Sequence, residues 1–212
     1  MARNVNPQCR MCRAYGVKLF LKGDRCKGNK CPVSKRRGAP GKGPTARTRR
    51  KVSDYGLQLR EKQKLKRTYG MLEKQFKLFF DRAEKKKGVT GDNLIKLLES
   101  RLDNVVYRMH MSSSRKEARQ IISHGHVMVN NRKVSIPSYM AKQGDVVEIK
   151  ETSKKLTVIK DGLKEYSRSG VVPWLEVDPD AVSGKVNAIP GRNDVADLAN
   201  INEQLIVELY SK

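Results

Sequence analysis

Acidic residues are scarce: 22 Asp and Glu stand against 45 Lys and Arg, a net charge of +23 in 212 residues. A folded chain accepts such self-repulsion most readily when a polyanion neutralises it, which favours nucleic acid over a merely well-solvated surface. An anionic membrane is the other polyanion to weigh. Runs of about 18 apolar residues are missing, and no signal peptide opens the chain, so the expected location is the cytosol. Aromatics amount to only 6%. With so few rings against so many cations, recognition of folded RNA by shape, phosphate and 2′-hydroxyl is expected rather than a base code. Apolar residues make up 38%, enough for one or two modest domains but not for one large enzyme core. No Gly-rich nucleotide loop or paired-carboxylate site stands outside the central basic stretch, which argues against an enzyme.

Cysteine is also rare. All four occur as Cys9-x-x-Cys12 and Cys26-x4-Cys31. In a reducing compartment two close pairs are better read as thiolate ligands than as disulfides, and four sulfurs suit a structural, tetrahedral Zn2+. A four-thiolate iron–sulfur cluster has the same ligand set. With every position taken by sulfur, such a metal has no open site for catalysis. Between the pairs, Val17, Leu19 and Leu21 alternate with polar and aromatic neighbours as a short strand would.

Positive charge is unevenly spread, with fifteen Lys and Arg and one acid in the first fifty residues and a net acidic stretch over 171–212. From 34 to 50 almost nothing is apolar, and Arg47, Arg49, Arg50 and Lys51 crowd together, as in an arm ordered on RNA. Helical spacing follows from Lys51, interrupted at Gly70, with Lys62 and Lys64 on a basic face that is a second candidate for phosphate. A further apolar helix ends at Leu98. The stretch 154–169 reads as polar and basic, 173–178 as a strand whose Trp174 anchors packing, 179–192 as a connector, and 198–210 as a helix docking on the first helical segment.

The centre of the chain is 97–150. Leu102, Val105, Val106 and Met109 recur at i, i+3, i+4 and i+7, a buried helical stripe, and Arg101 and Arg108 lie seven apart beside it. Ser114 and Glu117 have capping-box spacing and open a second helix with Arg115, Lys116 and Arg119 on its first turns, where backbone N–H groups favour an anion. Val127 to Val129, Asn130-Asn131 and Arg132 to Val134 read as a hairpin, because Asn tolerates the left-handed turn. Val146 to Lys150 reads as a half-buried strand. His110, His124 and His126 fall near the basic face and read as surface or RNA-contacting.

The run Ser100-Arg101-Leu102-Asp103-Asn104-Val105-Val106-Tyr107-Arg108-Met109, followed by Ser114-Arg115-x-Glu117-Ala118-Arg119-Gln120, closely resembles the RNA-binding module of the bacterial-type S-four family of small-subunit ribosomal proteins, the universal uS-four family. Ser53 to Lys64, Glu73 to Phe76, Trp174 to Asp178 and Ile206 to Lys212 resemble the same family, and the cysteine spacing resembles its zinc-binding, four-Cys subgroup. The resemblance implies a non-enzymatic primary binder of the 5′ domain of small-subunit (16S) rRNA that nucleates 30S assembly. It also implies ribosomal proteins three and five as neighbours and mRNA at the entry channel, approached by Arg47, Arg49 and Arg50, with an influence on decoding accuracy. No membrane or small-molecule substrate is implied. The RNA-binding set expected for the chain adds Tyr55, Gln58, Tyr69, Ser114, Asn130, Arg132, Lys133, His124 and His126 to the cations named above. Two departures stand out: His110-Met111 where the family commonly has Gly-Phe, and Asn131 where it commonly has Gly. The same module also occurs on RNA-modifying enzymes and a tRNA synthetase, but these need a second domain with a catalytic pocket. A zinc-finger DNA regulator would need a recognition helix after the cysteines, and none is evident.

The expected fold is α+β: a metal-held knuckle with a basic arm over 1–45, a helical domain over 46–98 completed by 193–212, and an RNA-binding module of two short helices and a small, mainly antiparallel sheet over 99–192.

Overall fold

Gly16, at φ +72°, closes the first helix, α1 (Gln8–Tyr15), in a left-handed turn suited to glycine. The structure is a computed structural model that describes residues 6–41, 52–170 and 172–211. After α1 the chain does not form the strand expected over 17–21. Leu19 is buried, but Phe20 takes φ +49°, which interrupts an extended run, and the segment turns directly into the four-residue α2 (Asp24–Lys27). Alternation over five residues was too short a signal to outweigh the turns on either side.

The chain divides into two compact units, Met1–Gly91 with Leu198–Lys212, and Asp92–Asp197. In the first, Ser53 caps α3 (Asp54–Thr68) by accepting the Gly56 N–H at 3.2 Å. Gly70 separates α3 from α4 (Glu73–Glu84), which buries Phe76, Phe79, Phe80 and Ala83. Asn202 caps the last helix, α9 (Glu203–Tyr210). As expected, α9 docks on the first helical segment: Gln58 donates to Glu208 at 3.0 Å, and the Tyr210 ring stacks on Phe80 at 4.3 Å.

The second unit takes in most of α5 (Thr90–Glu99), then α6 (Leu102–Arg108) and α7 (Arg115–Ser123). The hairpin β1 (Val127–Val129) and β2 (Arg132–Lys133) follows, then β3 (Val146–Ile149), α8 (Thr157–Ser169), β4 (Leu175–Asp178) and β5 (Ser183–Val186). All pairings are antiparallel, in the order β2-β1-β3-β5-β4. The stripe Leu102, Val105, Val106 and Met109 is wholly buried against Ile122, Val127, Val147, Ile149 and Trp174. Each such aliphatic side chain contributes roughly 2 kcal/mol by leaving water.

Two segments differ from expectation. Residues 157–169 are helical because Val158, Ile159, Gly162, Leu163 and Tyr166 fall at helical spacing under a polar composition, and Ile159 is fully buried. At Gly162 a Cβ would lie 2.5 Å from the His110 carbonyl, so glycine is what lets α8 approach the α6–α7 connection. Within 179–192 lies β5, whose inward residues are Gly184 and Val186; one glycine in two inward positions hid the strand. The helices and small antiparallel sheet are as expected, whereas the metal-held part of that expectation has no counterpart: among the described residues no group of three or more His, Cys, Asp and Glu side chains is arranged to hold an ion. No helix among the described residues is long and apolar enough to cross a membrane.

Candidate nucleic-acid interface

The hairpin presents its cations openly. Asn130 and Asn131 both take left-handed φ, +50° and +63°, the conformation a two-residue type I′ turn needs. Asn130 also ties the turn to β3: its Nδ2 donates to Asp145 Oδ1 at 2.9 Å, and its Oδ1 accepts the Val146 N–H at 3.0 Å. Asn131, Arg132 and Lys133 are exposed beyond that anchor. The Lys133 chain lies over Gly125, where a Cβ would be 2.2 Å from its Cε and where φ is +76°. The left-handed φ favours glycine here, and the Lys133 chain lies against the turn between His124 and His126. The two imidazoles are 6.0 Å apart; His124 is exposed, and His126 is held through Nδ1 to the Ser153 hydroxyl at 2.8 Å. The hairpin and the Gly125 turn that Lys133 lies against thus carry cations and ring nitrogens beside the β1–β2 pair. This arrangement suits phosphate and sugar contacts.

The α6–α7 junction treats its cations in the opposite way. Arg101 is not on the helix beside Arg108 but precedes it in extended backbone, and its side chain turns inward, 0% exposed. Its Nε and Nη2 donate to the two oxygens of Asp103 at 3.0 and 2.6 Å, and Arg119 donates to the same carboxylate at 3.0 Å. Arg108 donates to Glu99, itself 0% exposed, through Nε and Nη2 at 3.1 Å each, and through Nη1 to Asp197 at 2.7 Å. Arg115 donates to Asn104 at 2.8 Å and stacks over Tyr107 at 4.6 Å. These arginines organise the junction, since a buried charge left without its partner is costly. Ser114 caps α7 as predicted, accepting the Glu117 N–H, but the Glu117 carboxylate reaches back to the N–H and hydroxyl of Ser113, both at 2.7 Å, rather than to Ser114. Lys116, one residue into α7, is exposed.

In the first unit the expected basic face of α3 is largely turned inward. Gln58, Lys62, Lys64 and Tyr69 are buried. Lys62 donates to Glu73 at 2.6 Å and sits over the Tyr210 ring at 5.4 Å, while Lys64 donates to Glu61 and to the Asn200 carbonyl. Burial pushes the Glu73 carboxyl up, but hydrogen bonds from Lys62 and Lys66 outweigh it and hold the group down at about 2. Burial and the Glu73 charge push the Tyr210 hydroxyl above its ordinary range. Of the five residues proposed on this element only Tyr55 is open, at 60% exposure. Arg47, Arg49, Arg50 and Lys51 lie outside the described residues.

Cys9 and Cys12 share a face of α1, Cys26 lies on α2, and Cys31 follows it; all but Cys9 are buried. Backbone N–H groups point at these sulfurs, Lys22 to Cys26 at 3.3 Å among them. Burial pushes the Cys12 and Cys26 thiols up, and neighbouring cysteine sulfurs add to the shift. At Cys31 burial acts in the same direction, but the N–H groups of Ser34 and Val33, the Ser34 hydroxyl and Lys18 prevail and hold its thiol below the ordinary value. The other three sulfurs act on Cys12, and backbone N–H groups point at Cys12, Cys26 and Cys31; thiols with such donors are the ligand type of a structural zinc site, while among the described residues no group is arranged to hold an ion. α1 is held to α3 by Tyr15, whose ring lies under the guanidinium groups of Arg60 and Arg67 at 5.8 and 5.3 Å, and by Arg60, which donates to the Ala14 carbonyl at 2.7 Å.

The acids Glu99, Asp103 and Asp197 are the residues that reading the sequence for cations passed over. Asp103 stood in plain sight two residues after Arg101, but partners 9 and 89 residues away from Arg108 leave no local signal.

Residues 3–99 match the ribosomal protein S4/S9 N-terminal domain and residues 100–147 match the S4 domain. By these matches the chain falls in the class of S4-domain proteins. Proteins called small ribosomal subunit protein uS4 from Trichlorobacter lovleyi, Syntrophotalea carbinolica and Acetivibrio thermocellus are 52%, 53% and 54% identical to it, over the whole of both chains. The chain belongs to the uS4 family of small ribosomal subunit proteins.

Proposed function

We propose that this chain is a structural constituent of the ribosome that binds small-subunit rRNA and acts by binding rather than by catalysis. The single observation that carries this reading is the hairpin rim, Asn131, Arg132 and Lys133 with His124, exposed on a packed module that matches the S4 domain. Family membership over the full length of the chain supports it. On this reading the protein is a primary binder of the 5′ domain that nucleates assembly of the small subunit in the cytoplasm. Ribosomal proteins three and five are its neighbours, the arginines at 47, 49 and 50 approach mRNA at the entry channel, and the chain contributes to decoding accuracy. Its domains are a knuckle with a basic arm over 1–45, a helical domain over 46–98 completed by 193–212, and the RNA-binding module over 99–192.

Cys9, Cys12, Cys26 and Cys31 are the residues that would hold Zn2+. Bound there, the ion would supply a cross-link to a segment with little core of its own. The chain's own residues seat this segment through Tyr15 between Arg60 and Arg67.

The experiment is binding to purified small-subunit rRNA with chemical footprinting, together with sedimentation of the native protein. The expected result is protection confined to the 5′ domain and co-sedimentation with small subunits. Protein that sediments free of subunits at physiological salt overturns the ribosomal role.

A further inference from the structure

We infer that Arg108 and Arg115 form a phosphate-binding notch which Asp197 fills until RNA arrives, so that binding exchanges this carboxylate for a phosphodiester. The inference rests on the RNA-binding reading above. Its basis is how the two guanidinium groups are held. Arg108 is fixed on one edge by two bonds to the buried Glu99 carboxylate and Arg115 by Asn104 and the Tyr107 ring. Their remaining edges converge on one atom: Asp197 Oδ2 lies 2.7 Å from Arg108 Nη1 and 3.8 Å from Arg115 Nη2. One oxygen shared by two preoriented guanidinium groups is the arrangement in which arginines take a phosphate oxygen. Arg115 also opens α7, so the positive end of that helix adds to the attraction.

The occupant is the least fixed member of the group. Both arginine side chains are 9% exposed, whereas the Asp197 side chain is 32% exposed. It comes from a single 3-10 turn, anchored by the buried Val195 and Leu198, rather than from a longer helix or strand. The carboxylates of Glu99 and Asp197 offset charge on the two arginines. Withdrawing Asp197 raises the local charge by one, which a phosphodiester would offset. Withdrawal of Asp197 breaks its ion pairs with two largely buried arginines, a cost that the incoming phosphate must offset, and leaves the contacts to Glu99 and Asn104 in place.

The test compares Asp197→Asn, an isosteric change without the charge, with Asp180→Asn, which removes an equal charge from an exposed position in the β4–β5 connection. Each is titrated with small-subunit rRNA over a range of salt. If the notch is open only about a tenth to a third of the time, freeing it tightens binding by about threefold to tenfold in Asp197→Asn. The log–log salt slope steepens by up to roughly 0.7 to 0.9, since no freed carboxylate is left to take up a cation against the one the phosphate releases. Asp180→Asn changes both less. Asp197→Asn that binds no tighter than Asp180→Asn overturns the exchange, while wild-type protein that fails to bind this RNA refutes the underlying RNA reading instead. Should Asp197→Asn fold poorly, hydrogen exchange on the wild type decides: amides over 191–197 must exchange faster when RNA is saturating, and unchanged or slower exchange overturns the exchange.

Discussion

Arg101 and Arg132 carry the same charge in the same unit and are put to opposite uses. Arg132 stands on a two-residue turn held by Asn130, exposed to whatever approaches. Arg101 is sealed beneath the start of α6 on Asp103, with no exposed surface. The difference shows that a count of cations does not locate a polyanion site. Where a carboxylate lies within reach, burial converts an arginine into a strut. Where a tight turn carries it into solvent, its charge is left for a partner.

The largest effect that would break this contrast is on stability. Arg101→Ala removes one partner of a buried pair and leaves Asp103 with Arg119 alone, so it is expected to cost about 3 kcal/mol. Urea unfolding read by circular dichroism measures it, and a loss under 1 kcal/mol would return Arg101 to the surface set. A second variant moves the comparison to the first unit. Cys26→Ser, or a strong chelator, should disorder the knuckle and speed proteolysis within 6–41 while the melting of the module stays unchanged. Uniform destabilisation of both units would contradict that division.

The smallest effect concerns Glu73, whose carboxyl is held at about 2 against an ordinary 4.5 by Lys62 and Lys66. A lowered carboxyl stabilises the fold fully above its unfolded value and loses that contribution as pH falls through the folded one. Glu73→Gln is therefore expected to be less stable than wild type at pH 7 by at most about 1 kcal/mol, because the group is half-exposed and screened. The two proteins should converge between pH 4.5 and 2. A gap that persists at pH 2 would show that Glu73 acts through packing rather than charge.

Much of this architecture was legible because it rests on local rules. The α6 stripe, the Ser114 cap and the Asn130-Asn131 turn each follow from a few adjacent residues. Both departures from the family pattern are explained in the same way: His110 and Asn131 take φ of +57° and +63°, the conformations for which glycine is the easy choice. His110 is steadied by its ring nitrogen, 2.9 Å from the Gly170 carbonyl. What was not legible depends on partners far along the chain. Lys62 and Lys64 looked like a basic face, but Glu73, Glu61 and Asn200 turn them inward. Arg108 meets its acids only once α5 and the turn at 197 are folded beside it. Helix α8 was hidden for a different reason, since its polar composition masked a regular apolar spacing.

The most direct test of exposed cations as the RNA contacts is the salt dependence of rRNA affinity for Arg132→Ala/Lys133→Ala. If these two side chains each meet a phosphate, the log–log slope should fall by about two, and affinity should drop by about tenfold or more at moderate salt. The melting temperature should not move, since both side chains are exposed. An unchanged slope in a normally folded double variant would contradict the account.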